Sequence, residues 1–288
     1  MKALIFLLAF AGMASAAEPE LVGAYRWTEP LSGFGGFSGF DFRKPGQEFV
    51  AITDRGKILQ GRLQRQDGRI TGVDVASFEF LKDRSNKPLS DYHSNAEGLD
   101  ITRDGNIYLT FEGNHRMRRY GADGTYLEAI PSPGAFAEFQ SNSGLEVLAS
   151  DATGTLFTLP ERSGHLERPF PVFRFRNGAW DQPFSLTRRG RFLPVGADIG
   201  PDGRFYLLER DFLWHSGFAS RIRRFSIGET GLRDEETLLE TGFGAHDNLE
   251  AIAVWRDDAG DLRLTLLSDD NFQFLQITEF VEYRLPPD

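Results

Sequence analysis

Two loop motifs combine the residue types that proton transfer and oxygen recognition require. His93-Ser-Asn95-Ala-Glu97 and His246-Asp-Asn248-Leu-Glu250 share an H-x-N-x-E pattern, and Asn142-Ser-Gly-Leu-Glu146 is a variant with Asn in the His place. A histidine can act as acid, base or ligand, an asparagine can orient a substrate oxygen, and a glutamate can bind a metal or accept a proton. His93, His246, Glu97 and Glu250 are therefore the candidate catalytic residues, with Asn95, Asn142 and Asn248 as candidate substrate contacts. A loop histidine bonded to backbone explains His93 and His246 equally well. His115, His165 and His215 sit in no repeating context and read as structural.

A second set of acids ends short apolar runs: Asp54, Glu112, Glu161, Glu209 and Asp269. Three are followed by arginine, as Asp54-Arg55, Glu161-Arg162 and Glu209-Arg210, and Arg116 follows Glu112 by four residues. Hard oxygen donors drawn from many loops suit Ca²⁺, with Mg²⁺ or another divalent ion as the alternative, so these five acids and Glu97, Glu146 and Glu250 are candidate metal ligands. Arg55, Arg162 and Arg210 could clamp an anionic group. Salt bridges within a sheet would explain the acid–arginine pairs but not the three glutamates.

What must position these residues is a repeat. Pro45-Gly46, Asp104-Gly105, Thr153-Gly154, Asp202-Gly203 and Ala259-Gly260 recur at intervals of 59, 49, 49 and 57 residues, each between two runs rich in β-branched and aromatic residues. A second series, Asp67-Gly68, Asp123-Gly124, Asn177-Gly178 and Thr230-Gly231, marks another hairpin per unit. Four strands per unit follow, named A to D. The chain is thus expected to be all-β, a β-propeller of five four-stranded blades. Six would require a degenerate blade hidden in one long connection. The fifth unit runs out after strand C, and Leu21 to Trp27 is expected to supply its missing strand and close the ring.

In a propeller strand A lines the axis, and the start of A and the end of B share one face of the disc. Ser38, Glu97, Glu146, Val195 and Glu250 precede their turn glycines by 8, 8, 8, 8 and 10 residues. Eight carboxylates are therefore expected to meet at one mouth, with Asp270 a ninth. So many like charges need a cation or arginines to offset them. The glycines of Gly33 to Phe40 are expected to let the first strand A approach the axis, since the run fits neither a phosphate loop nor a nucleophile elbow.

Composition narrows the function classes. With 288 residues and 40% apolar content the chain can bury a large core. Its formal charge of −10 disfavours nucleic acid as a partner. It has no cysteine, hence no disulfide and no thiolate nucleophile. Lys2, the apolar stretch Ala3 to Ala11 and Ala14-Ser-Ala16 form a signal peptide, so residues 1–16 are set apart from a single domain over 17–288, with periplasmic or secreted localisation and no membrane span.

The segments Asn142-Ser-Gly-Leu-Glu146, Asn95-Ala-Glu97-Gly-Leu, Leu249-Glu250-Ala-Ile, Ile52-Thr-Asp54-Arg55 and Leu267-Ser-Asp269-Asp-Asn271 resemble the phytase-like family of exported bacterial propellers, often labelled "esterase-like activity of phytase". The resemblance covers Leu31 to Leu285. It implies ester hydrolysis, by analogy with propeller phytases that hold Ca²⁺ over the central channel. The chain departs from true phytases in lacking their dense Asp-rich calcium motifs and phosphate-facing lysines, which argues against phytate. The expected function is a metal-dependent ester hydrolase acting on a small anionic phosphoester. A non-catalytic cation- or solute-binding propeller and a lactonase are the alternatives.

Overall fold

The computed structural model describes residues 18–140, 143–165 and 167–287. The signal peptide expected over residues 1–16 lies outside the described residues. Strand β1 (Glu20–Arg26) comes first, and four blades follow in chain order. Blade 1 holds β2 (Phe37–Lys44), β3 (Glu48–Thr53), β4 (Lys57–Gln66) and β5 (Arg69–Phe80). A one-turn helix α1 (Asp91–Ser94) leads into blade 2, made of β6 (Ala96–Ile101), β7 (Ile107–Phe111), β8 (Arg116–Tyr120) and β9 (Tyr126–Ile130). Blade 3 is β10 (Leu145–Ser150), β11 (Leu156–Pro160), β12 (Phe170–Arg176) and β13 (Ala179–Leu186). Blade 4 is β14 (Leu193–Ile199), β15 (Arg204–Leu213), β16 (Gly217–Gly228) and β17 (Gly231–Glu240).

The last blade is shared between the two ends of the chain. Its order is β1-β20-β19-β18, with β18 (Asn248–Arg256) innermost, then β19 (Leu262–Asp269), β20 (Glu279–Arg284) and β1 outermost. The N-terminal strand thus closes a five-bladed ring, as its lack of any other partner demands. The ring does not need a sixth blade. Each A–B turn places its glycine at positive φ, from 67° at Gly46 to 89° at Gly260, which is why the repeat is punctuated by that residue.

Apolar side chains meet between blades rather than within them. Phe37, Phe40 and Phe49 of blade 1 pack with Ala251, Leu267 and Phe280 of blade 5 around Trp27, which is 1% exposed and stacked on Phe37 and Phe280. Other cores join blades 1 and 2, 3 and 4, and 4 and 5. On the disc face formed by the A–B turns, Asp41, Asp100 and Asp198 each accept a backbone N–H from the next blade, from Ile101 (2.8 Å), Ser150 (2.7 Å) and Val254 (2.5 Å). Neighbouring A strands nearly touch: a Cβ on Gly196 would lie 2.6 Å from the Glu250 carbonyl oxygen, and one on Gly39 would lie 2.8 Å from Leu99 Cβ. The neck between the two mouths consequently holds about 10 Å³, room for no more than one water.

Candidate functional site

The A–B pairing is interrupted at the same place in every blade. The register breaks between Phe37 and Gly39, Ala96 and Leu99, Leu145 and Val147, Pro194 and Gly196, and Leu249 and Ala251. The residues left out of the ladder include Ser38, Glu97, Glu146, Val195 and Glu250. A bulge re-aims the side chain of its extra residue. Here it delivers three glutamates to the axial mouth.

Mutual electrostatics show which acids meet. Burial pushes Glu97 well above the usual carboxylate range, and Glu146, Glu112, Glu250 and Asp54 add to the shift. Burial likewise raises Glu146 well above its ordinary value, helped by Glu161, Glu112 and Glu250 and opposed by Arg210. Asp269 is pushed up to about 9 by burial and by Glu250, Asp54 and Asp270. Asp54 rises to about 6, chiefly by burial, and its Oδ1 is buried without a hydrogen-bond partner. Seven of the eight expected acids therefore share one site, and Asp270 joins them.

Glu209 does not. It is fully buried inside blade 4, where its carboxylate accepts from Arg221 Nε (2.7 Å) and from Arg223 Nε (2.8 Å) and Nη2 (2.6 Å). Its place in the axial metal set is corrected to an ion pair within the sheet, because β15 pairs there with the arginine-rich strand β16. His246 also turns away from the mouth: its Nε2 lies 2.6 Å from the Tyr283 hydroxyl and its Nδ1 3.9 Å from Glu279, and burial lowers its pKa. The His93 ring packs against Tyr92, and its carbonyl accepts from Arg116. The asparagines do enter the site. Asn95 donates to Glu112 (2.5 Å) and Asn248 to Glu250 (2.8 Å), while Asn142 lies outside the described residues.

The arginines divide. Arg210 occupies the mouth, donating to Asn248 Oδ1 (2.6 Å), to Glu250 and to Glu161 (3.2 Å). Arg162 pairs with Glu161 at 3.2 Å and is about half exposed. Arg55 instead lies 3.4 Å over the Phe272 ring. Beside the carboxylates opens a cavity of about 700 Å³, lined by Glu161, Arg162, His165, Arg188, Arg191 and Arg210, with Leu193, Phe212 and Phe218 forming an apolar wall. Arg188 has no carboxylate partner among the described residues, and burial together with the Arg162 charge lowers its pKa. Of the four guanidinium groups around this space, those of Arg162, Arg191 and Arg210 pair with carboxylates, and Arg188 donates to the Gly190 and Arg191 carbonyl oxygens (3.2 and 3.5 Å). Arg188, Arg191 and His165 were missed from sequence. The basic run Arg188-Arg189-Gly190-Arg191 just before strand β14 was the available signal.

Oxygen donors of this kind suit a hard divalent cation, and the Asp54 Oδ1 is buried without a hydrogen-bond partner, but among the described residues no three His, Asp or Glu side chains are grouped closely enough to hold a metal ion.

Comparison with known proteins agrees with the architecture. A solved α-L-arabinofuranosidase from Podospora anserina, in complex with cellotriose, is similar over 94% of this chain and 98% of its own at 10% identity, with a TM-score of 0.50. A gluconolactonase from Xanthomonas campestris aligns over 95% and 99% of the two chains at 14% identity and a TM-score of 0.48. Virginiamycin B lyase from Staphylococcus aureus aligns over 93% and 100% at 13% identity and 0.45. At these identities the likeness is one of fold alone. No curated protein matches the sequence. One family profile does, over residues 32–272, described as "Phytase-like: Esterase-like activity of phytase".

Proposed function

The chain belongs to the phytase-like family, and from that premise we propose that it is an exported hydrolase of small anionic esters, phosphoesters above all. The observation that carries the reading is the cavity that sets Arg162, Arg188, Arg191 and Arg210 beside a cluster of buried carboxyl groups. Arg188 donates only to the backbone carbonyls of Gly190 and Arg191 and pairs with no carboxylate among the described residues, and a phosphoryl group offers the charged oxygens that a guanidinium fork matches.

Hydrolysis needs a water oxygen to attack the phosphorus, a base to take the water's proton, and an acid to protonate the departing ester oxygen. The cluster holds carboxyls of both kinds. Asp269, pushed up to about 9, keeps its proton at neutral pH and can give it to the leaving group. Asp54, near 6, is ionised at neutral pH and can take the water's proton. His93 and His246 have no place in this scheme. Ca²⁺, or Mg²⁺, is proposed as the cofactor, with Glu97, Glu112, Glu146 and Glu250 as the residues that would hold it. Bound there it would supply positive charge to the cluster and to the substrate oxygens.

Turnover of a small aryl phosphate is the test. Wild type should release the phenol, lose activity in EDTA and regain it with Ca²⁺, and Arg188→Ala should lower kcat/KM at least about tenfold. Undiminished turnover in EDTA overturns the metal, and turnover of lactones without phosphates overturns the substrate class.

A further inference from the structure

The face formed by the A–B turns, opposite the mouth that carries the glutamates, opens into a second cavity of about 680 Å³. Asp41, Asp100 and Asp198 line it, one each from blades 1, 2 and 4, and each stands three residues after the bulged position of its strand A. Blades 3 and 5 carry Ala149 and Ala253 at that place, yet β10 packs beside β14 and β18 beside β2 all the same. Joining neighbouring blades therefore does not require the acid. Backbone N–H groups satisfy part of each carboxyl group, but Asp100, 5% exposed, keeps its Oδ2 buried with no hydrogen-bond partner. The charges that act on Asp41 are those of Asp198 and Asp100, and among the described residues no cation pairs with any of the three. Burial raises all three above the ordinary carboxylate range, as it must for acids without a counter-ion. At the other mouth Arg210 offsets the acids; this one has no such residue among those described.

Independently of the hydrolase reading, we propose that this cavity binds a small organic cation that carries a guanidinium group, with a free basic amino acid as its type. Three features select that class. The acids come from three blades and are not grouped closely enough to hold a metal ion, whereas a guanidinium spreads five N–H donors over three nitrogens and reaches acceptors that stand apart. An ammonium is a point charge and lacks that span. The cavity is also far larger than an ion, and Phe42, Ile199 and Val254 offer apolar wall to a carbon chain. Finally, Arg103 in the turn after β6 and Arg256 at the end of β18 line the same cavity from exposed positions, where they would meet a carboxylate at the far end of the bound molecule. Arginine has all three parts.

The test is isothermal titration calorimetry of the full chain with L-arginine and with L-citrulline, which replaces the guanidinium by a neutral urea of similar shape. Wild type should bind one arginine with a Kd below about 1 mM, and citrulline at least about tenfold more weakly. Asp100→Asn should stay folded, because its side-chain oxygen can still accept the Ser150 N–H, and should bind arginine at least about tenfold more weakly. Asp198→Asn removes an acid from a different blade and supplies the same comparison where Asp100→Asn does not fold. Absence of arginine binding to wild type, equal affinity for citrulline, or a Kd unchanged in the folded variants overturns the proposal, the last by placing arginine elsewhere on the protein. None of these outcomes depends on ester turnover, so the hydrolase reading and this one stand or fall separately.

Discussion

Replacing Arg210 by methionine keeps most of the side-chain volume and removes the cation that the buried carboxylates share. Its guanidinium, 20% exposed, donates to Asn248, Glu250 and Glu161, and its charge holds Glu250 and Glu146 below where burial alone would put them. Removing one partner of a buried pair costs about 3–5 kcal/mol, because the acids left behind are desolvated and unpaired. In a domain of this size about 3 kcal/mol corresponds to a fall in Tm of roughly 6–10 °C. The loss should depend on pH. Near pH 5 the orphaned glutamates take up protons and escape most of the penalty, so the fall is largest near pH 8 and shrinks in acid. Differential scanning calorimetry of wild type and Arg210→Met between pH 5 and 9 reads both effects. A Tm difference that is absent, or equal at pH 5 and 8, would show that the carboxylates do not share a buried site and would refute the reasoning.

Wild-type stability should itself fall as pH rises from about 4 towards 9: the unfolded chain releases carboxyl protons near pH 4, whereas Asp54 and Asp100 hold theirs to about 6, Asp198 to about 7 and Asp269 to about 9, so the unfolded state binds fewer protons across that interval. A urea midpoint that rises over that range contradicts the assignment. Glu209→Gln should destabilise by about 3 kcal/mol, seen as a lower urea midpoint, because it leaves Arg221 and Arg223 buried within blade 4 without their shared carboxylate. Gly196→Ala should cost about 1–3 kcal/mol in the same denaturation, since its Cβ would meet the Glu250 carbonyl at 2.6 Å.

The blades could be read because hairpin turns impose register: a glycine at positive φ in each A–B turn fixes, by counting back, which residue begins strand A. The bulge at that position left no mark of its own, yet it is what turns Glu97, Glu146 and Glu250 toward the axis. Glu209 occupies the same repeat position as Asp54, Glu112, Glu161 and Asp269, and its different fate is decided by arginines 12 and 14 residues later on the adjoining strand. Counting along one hairpin cannot register such cross-strand partners. His246 follows the same logic, captured by Tyr283 across blade 5. Of the cavity's arginines, Arg162 and Arg210 follow their strand-B acids in the repeat, whereas Arg188 and Arg191 escaped it because they come from one irregular D–A connection.

The proposed function requires the arginine-lined cavity to bind the charged group of an ester beside the buried acids. It is tested most directly by comparing kcat/KM for an aryl phosphate with that for the acetate of the same phenol, in wild type and Arg188→Ala. Wild type should markedly prefer the phosphate, and Arg188→Ala should lose most of that preference while its acetate rate is unchanged. Equal rates on the two esters in wild type, or a preference that survives the loss of Arg188, would contradict it.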